Sequence, residues 1–185
     1  MTTAPTPMCR YHYDALDLIT GMECADQASL QRFYRRQHLV TERQGQASQS
    51  VFQHGEQLLA VQSSENDILK SQLLATDQQR SVMQLIDSLG ALPKVYTPYG
   101  HHRAEGGLSS LLGFNGERRD PVTGCYLLGN GRRGFNPVLM RFNSPDWLSP
   151  FGQGGLNSYA YCLGDPLNFS DPMGSFAEIG RLITS

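Results

Sequence analysis

The chain has 185 residues and a mass of 20.5 kDa; 39% of the residues are hydrophobic, 17% are charged, and the net charge is −2. This size suits one domain with a core, and the near-neutral charge excludes a global basic field that would draw the protein onto nucleic acid or an anionic membrane. No apolar run reaches the roughly eighteen residues of a membrane span, and the N-terminus lacks the pattern of a Sec signal. We therefore predict no membrane span, no nucleic-acid partner, and a cytoplasmic location or export without a Sec signal.

Cysteine and histidine spacing argues against a metal site. The four cysteines are Cys9, Cys24, Cys125 and Cys162, and no pair has the Cys-x-x-Cys spacing of a zinc site. The adjacent His101 and His102 would point to opposite faces of a strand. We predict no metal and no cofactor, reduced and half-buried thiols, and histidines that flank a turn.

Short apolar runs separated by polar or glycine turns fill the first half of the chain. Examples are "CRYHYDALDLITGM", "QSVFQHGEQLLAVQ" and "RSVMQLIDSLGALPKVYTPYG". This alternation of run, turn and run predicts successive β-hairpins. Over residues 66–90 an amphipathic helix competes with the strands, because Ile68, Leu69, Gln72 and Leu73 also have helical spacing.

Glycine and proline divide the second half into short pieces. Fourteen of the 19 glycines and eight of the 10 prolines lie between Ala91 and Gly174, which predicts short strands joined by tight turns. Asp120–Gly124 has the residues of such a turn. The tail "SFAEIGRLITS" predicts one helical turn or a loose end. The fold class is therefore mainly β, with successive antiparallel hairpins that form a twisted open sheet.

Acidic residues are concentrated near the end of the chain. Asp165 and Asp171 each precede a proline, and Asp146 lies in "NSPDWLSP". One interpretation is that each aspartate only caps a turn. The other is a carboxylate pair: two close carboxylates share one proton, so that the ionised one activates water and the protonated one donates to the amide.

Seven motifs follow one another between Tyr96 and Gly174. They are Tyr-x-Pro-Tyr-Gly, Gly-Phe-Asn-Gly, Asp-Pro-x-Thr-Gly, Asn-Pro-x-x-x-Arg-Phe, Ser-Pro-Asp, Asn-x-Tyr-x-Tyr and Asp-Pro-x-Gly. In this order they resemble the RHS repeat-associated core domain of RHS and YD-repeat proteins, which include the C subunits of insecticidal toxin complexes, and "YHYDALDLITG" resembles a YD repeat. The resemblance implies a fragment of a bacterial, toxin-related RHS/YD-repeat β-shell. It implies YD-repeat-like hairpins over residues 1–95, the core domain over 96–174, and a tail without a toxin domain over 175–185.

In that family the core domain cuts its own chain just beyond Asp-Pro-x-Gly, with one aspartate from that motif and one from Ser-Pro-Asp. The resemblance places these roles at Asp146 and Asp171, with Arg141 as the arginine near the site. It implies a single-turnover aspartyl autoprotease that cuts just after Gly174-Ser175. The sequence departs from the family pattern after each acid. Trp147 follows Asp146 in the first motif, and Ser175 follows the Asp-Pro-x-Gly motif of Asp171, where a leucine is common.

Three hypotheses about function follow. The first is a structural RHS core module that is an orphan or truncated and has no cargo, because a cut after Ser175 would release only ten residues, 176–185. The second is a competent autoprotease. The third is a partner subunit that completes a separate YD-repeat shell. Because unpaired sheet edges recruit other strands, we predict either such a shell partner or self-association through the edges.

Overall fold

The first half of the chain folds into one antiparallel sheet in which each strand pairs with the strand that follows it. The structure is a computed structural model that describes residues 9–25, 27–102 and 111–179. The nine strands are β1 (Cys9–Tyr13), β2 (Ile19–Cys24), β3 (Leu30–Arg35), β4 (His38–Gln44), β5 (Ala47–His54), β6 (Gln57–Glu65), β7 (Ile68–Thr76), β8 (Val82–Asp87) and β9 (Gly90–Pro93). The predicted hairpins are confirmed. The helical alternative over residues 66–90 is wrong, because tertiary pairing places that segment in β7 and β8.

One face of this sheet carries a hydrophobic core. Its members come from inward-facing strand positions and from one segment of the second half: Leu39, Val51, Leu58, Val61, Leu74, Val82, Leu85, Leu111 and Leu112. The opposite face carries a cross-strand row in which Phe52, Ala60, Leu73 and Ile86 are successive register partners. Phe52 and Leu73 are largely exposed there. The sheet is therefore covered on one face.

The second half consists of short elements around an aromatic cluster. They are the 3₁₀ turns η1 (Phe114–Gly116) and η2 (Cys162–Gly164), the helical turn α1 (Leu128–Gly131), and the strands β10 (Tyr126–Leu127), β11 (Arg133–Asn136), β12 (Arg141–Phe142), β13 (Phe169–Ser170) and β14 (Glu178–Ile179). Phe135 lies at the centre of the cluster, with its ring centroid 3.9 Å from that of Tyr161 and 5.9 Å from that of Phe142. In this half of the chain, stacked and edge-on contacts between aromatic rings stabilise the fold in place of a long sheet.

Two turn predictions have different outcomes. The turn at Asp120–Gly124 is confirmed: the Thr123 amide donates to Asp120 Oδ2 at 2.9 Å, and Gly124 is left-handed. The prediction of a helical turn or loose end after Gly174 is wrong at Glu178–Ile179, since β14 pairs with β13. Residues 180–185 of that tail lie outside the described residues.

The prediction of reduced thiols is wrong for two of the four cysteines. Cys9 and Cys24 are register partners on β1 and β2, with Cα atoms 4.2 Å apart, and their sulfurs form a disulfide. Antiparallel pairing brings them together although they are far apart in sequence. Cys125 and Cys162 are free and buried.

The charged run Glu117–Arg119 connects the two halves of the chain. Arg118 donates to both carboxylate oxygens of Glu42, with its Nη2 3.0 Å from Oε1. Arg32 Nε donates to Oε2 of the same carboxylate at 3.0 Å. Glu42 is buried, and the two arginines join the second half of the chain to β3 and β4. Charged residues in a glycine-rich segment therefore hold the halves together.

The end of β9 at Pro93 lies close to the predicted boundary between residues 95 and 96, and the division into domains stays a prediction. Within the described parts of the chain, no helix has both the length and the apolar character that crossing a bilayer requires.

Candidate active site

Asp171 begins the turn Asp171–Gly174, which follows β13. Its Oδ1 accepts a hydrogen bond from the Ser175 backbone nitrogen at 2.9 Å, and the Gly174 nitrogen donates to the Asp171 carbonyl at 3.3 Å. Gly174 has a φ of 63°, which favours glycine. Asp171 and Ser175 are each only 4% exposed. The turn therefore holds the nitrogen of the Gly174–Ser175 peptide bond against a buried carboxyl group.

Asp146 is held by a turn of its own. Its Oδ1 accepts a hydrogen bond from the Leu148 backbone nitrogen at 2.9 Å. Its Oδ2 lies 2.9 Å from Nη1 of Arg133 in an ion pair whose two side chains are both buried. The capping interpretation is thus correct for both Asp146 and Asp171, but it does not account for the ion pair or the burial.

Arg133 is the cation of this site. It begins β11, where Arg133 and Phe135 are buried, and its guanidinium carbon lies 3.5 Å from the ring centroid of Phe142. Burial lowers the pKa of Arg133, and the charges of Asp146 and Asp171 both oppose that shift. The two carboxylates therefore act on one guanidinium. Arg133 is buried although it lies in the glycine-flanked run Gly131–Gly134.

Asp171 has a raised pKa, so its carboxyl group can carry a proton at a higher pH than an ordinary aspartate. Burial raises the pKa of Asp171 to about 6, the Ser175 and Gly174 amides and Arg133 oppose that rise, and the charge of Asp146 adds to it. Asp171 therefore carries a proton in part of its population near neutral pH, while Asp146 pairs with a cation. One protonated and one ionised carboxyl group is the combination that general acid–base hydrolysis requires.

The structure thus brings Asp146 and Asp171 together and leaves Arg141 apart. Arg141 lies on β12 opposite Asn136, and its backbone bridges to Ala160. Its side chain is exposed, and within the described residues it forms no ion pair with either carboxylate. The role of Arg141 stays a prediction of the resemblance.

A cavity of about 920 Å³ lies beside Asp171, between the large sheet and the second half. On the sheet side, His38 Nε2 and Arg80 Nη1 lie 3.2 and 3.1 Å from the two oxygens of Glu56. Glu117 also lines the cavity; burial raises its pKa to about 7, and the charge of Arg80 opposes the rise. The cavity therefore has polar walls and room for solvent beside the candidate acid.

Sequence reasoning missed Arg133 and Glu117. Arg133 alternates with Phe135 on a short strand, and this period of two could have indicated that both face inward. No comparable signal exists for Glu117, whose environment is made by residues distant in sequence. Among the described residues, no group of three or more histidine, cysteine, aspartate or glutamate side chains is arranged to hold a metal ion.

Comparison with known families and structures identifies similar proteins. The family model of the Teneurin YD-shell matches residues 5–159. A search among curated proteins finds no match.

Solved structures of Tc toxin components have a similar fold. The crystal structure of TcdB2-TccC3-Cdc42 superposes with a TM-score of 0.54 at 17% identity, covering 91% of this chain and 10% of that one. The crystal structure of TcdB2-TccC3-TEV gives 0.52 at 15% identity, covering 90% and 10%. A Tc holotoxin pore from Photorhabdus luminescens with a mutation in TccC3 gives 0.50 at 16% identity, covering 95% and 10%. At these identities the likeness concerns the fold, and the chain spans about a tenth of the chains that it matches.

Proposed function

The chain belongs to the Teneurin YD-shell family, and from this premise we propose that it is a structural segment that completes a larger YD-repeat shell. The observation that carries the proposal is the nine-stranded sheet, whose first and last strands, β1 and β9, each pair on one side only among the residues that the structure describes. Unpaired edges are templates for further strands. This chain covers about 10% of the similar solved structures, and we expect further strands of a YD-repeat shell to pair with its two edges.

Co-purification with a long YD-repeat chain tests this proposal. The tagged protein is mixed with a separately purified YD-repeat protein of toxin-complex type, and the mixture is analysed by size-exclusion chromatography with light scattering. A stable complex of defined stoichiometry supports shell completion. A protein that stays a monomer, both alone and in the mixture, would overturn it.

A second function, self-cleavage, is favoured by one specific observation: Asp171 Oδ1 lies 2.9 Å from the nitrogen of the Gly174–Ser175 bond. In the proposed reaction Asp146 takes a proton from water, and the oxygen adds to the Gly174 carbonyl carbon. Addition of the water oxygen frees the lone pair of the Ser175 nitrogen, whose N–H donates to Asp171 Oδ1 in the intact chain. Protonated Asp171 then gives its proton to that lone pair as the C–N bond breaks, which leaves a carboxyl group on Gly174 and an amine on Ser175. The bond is tethered at the site, which can lower a barrier by about 7–11 kcal/mol.

This geometry favours the bond before Ser175 over the bond after it. Intact mass spectrometry of the purified chain separates the two, since the first cut releases residues 175–185 and the second releases 176–185. We expect the Asp146→Asn and Asp171→Asn variants to stay intact. Asp165→Asn is the matched control, because Asp165 also precedes a proline and caps a turn, through Asn168. A full-length mass that persists for days in the unsubstituted protein would overturn self-cleavage and leave shell completion standing.

A further inference from the structure

The helical turn α1 packs its backbone against the turn that carries Asp171. The Gly129 nitrogen donates to the Pro172 carbonyl at 2.9 Å. A Cβ atom on Gly129 would lie 2.5 Å from the Met173 carbonyl oxygen and 3.1 Å from the Met173 carbonyl carbon. These are backbone atoms, so the contact could be relieved only by moving the turn. Only a glycine at position 129 permits this approach.

The same helical turn is also tied to the large sheet. Asn130 Nδ2 donates to the Gln37 carbonyl, in the β3–β4 connection, at 3.0 Å. The backbone of Gly131 lies against the side chain of Ile19 at the start of β2, closely enough that a Cβ atom would clash with it. Arg133, the cation of the candidate site, follows two residues later. The turn α1 thus contacts the sheet on one side and the Asp171–Gly174 turn on the other.

We propose that α1 is a positioning element, in which Gly129 sets the place of the Asp171 carboxyl group and Asn130 fixes that place relative to the sheet. The inference deepens the proposed self-cleavage and rests on it for its catalytic consequence. Its geometric content is independent of cleavage, because the contacts between Gly129, Pro172 and Met173 exist whether or not the bond is cut. The candidate active site then forms only when the second half of the chain packs against β2 and the end of β3.

Substitution of Gly129 by alanine tests the proposal, with Gly55→Ala as the matched control. Both glycines are left-handed, with φ values of 60° and 57°, but a Cβ atom on Gly55 meets nothing within 4 Å. The two variants therefore share the backbone strain and differ in the contact with Met173. In the full chain, we expect Gly129→Ala to slow cleavage on the order of 10²-fold, as a displacement of about 1 Å can, and Gly55→Ala to cleave at the unsubstituted rate.

A second readout does not depend on cleavage. In the Asp146→Asn background, ¹³C NMR of the Asp171 carboxyl carbon measures its titration midpoint. Compared with the Asp146→Asn single variant, we expect Gly129→Ala to lower this midpoint toward the ordinary value of 3.8, because the displaced carboxyl group gains solvent, and Gly55→Ala to leave it in place. If the midpoint moves in this background while the chain with Asp146 intact never cleaves, self-cleavage is overturned and the positioning role is kept.

The opposite results would overturn the inference. If Gly129→Ala and Gly55→Ala agree in both cleavage rate and titration midpoint, α1 does not position Asp171. If Gly129→Ala fails to fold by circular dichroism, Asn130→Gly decides by the same two readouts. It keeps a left-handed residue at position 130 and removes only the bond to Gln37. We expect a smaller change in the same direction, and no change in either readout would refute the proposal.

Discussion

Asp146 and Asp171 lie on separate turns, and both carboxylates act on the guanidinium of Arg133, which is 2.9 Å from Asp146 Oδ2. All three side chains are buried. The charge of Arg133 opposes the rise in the pKa of Asp171 that burial causes. This arrangement leads to the first two predictions.

We expect Arg133→Gln to destabilise the fold by about 3–5 kcal/mol, because it leaves a buried carboxylate without its cation. Urea unfolding followed by circular dichroism measures this effect. The control is Arg141→Gln, which changes an exposed arginine and is expected to stay within about 0.5 kcal/mol of the unsubstituted protein. Cleavage rates of the same two variants decide which arginine serves the carboxylate pair, and an equal loss in both would contradict the assignment of Arg133.

Self-cleavage is expected to depend on pH through Asp171. The group must be protonated to donate to the leaving nitrogen, and its pKa is raised to about 6. The first-order rate of cleavage should therefore fall as pH rises from 5 through 6 to 8, by about tenfold per unit well above the midpoint. Refolding the purified chain from urea into buffers of different pH, with mass spectrometry at intervals, gives the profile. A rate that rises over this range would exclude Asp171 as the acid.

Stability should depend on pH through Glu117. Burial raises its folded pKa from 4.5 to about 7, so the folded state holds a proton that the unfolded state has released between these values. Stability is therefore lost as pH rises through this window, by at most about 3 kcal/mol. We expect Glu117→Gln to remove that loss, so that its advantage in urea unfolding grows between pH 4 and pH 8. Glu178→Gln, at an exposed position lining the same cavity, is the control and should show no such growth.

The Cys9–Cys24 disulfide should stabilise the first hairpin. It closes a segment with a sequence separation of 15, for which the constraint on the unfolded chain is worth about 3 kcal/mol. We expect the double substitution Cys9→Ser and Cys24→Ser to lower the free energy of unfolding by about that amount, and a reducing agent to do the same to the unsubstituted protein. The reducing agent should have no further effect on the double variant. An unsubstituted protein that is insensitive to reduction would contradict the disulfide.

Self-association should proceed through the exposed edge strand β9. Leu92 lies on this edge and Leu89 in the turn before it, and both are exposed. A charge on an edge strand opposes strand pairing, so we expect Leu92→Lys to shift the protein toward monomers in sedimentation velocity. Leu89→Lys adds the same charge away from the strand and should change the distribution less. A sharp monomer at all concentrations of the unsubstituted protein would contradict the prediction.

The local pattern of apolar and turn-forming residues was sufficient to predict the hairpin architecture of the chain. Apolar runs alternating with glycine, asparagine and aspartate turns specify hairpins, because side chains alternate across a strand and those residues accept turn geometry. The predicted relationship to RHS and YD-repeat shells is confirmed by the family match and by the similar folds. The finer assignment to a core domain stays a prediction.

What the sequence by itself determined was therefore the hairpin meander and the family, whereas the pairing of Asp146 with Asp171 as a catalytic site stays a prediction of the resemblance. Only the tertiary structure decided which arginine joins them, since Arg133 and Arg141 are chemically identical and differ in the face of the strand that is buried. It also decided that Cys9 meets Cys24 and that burial raises the pKa of Asp171 to about 6. Strand register, burial and electrostatic surroundings depend on residues that are distant in sequence, so no local sequence pattern can predict them.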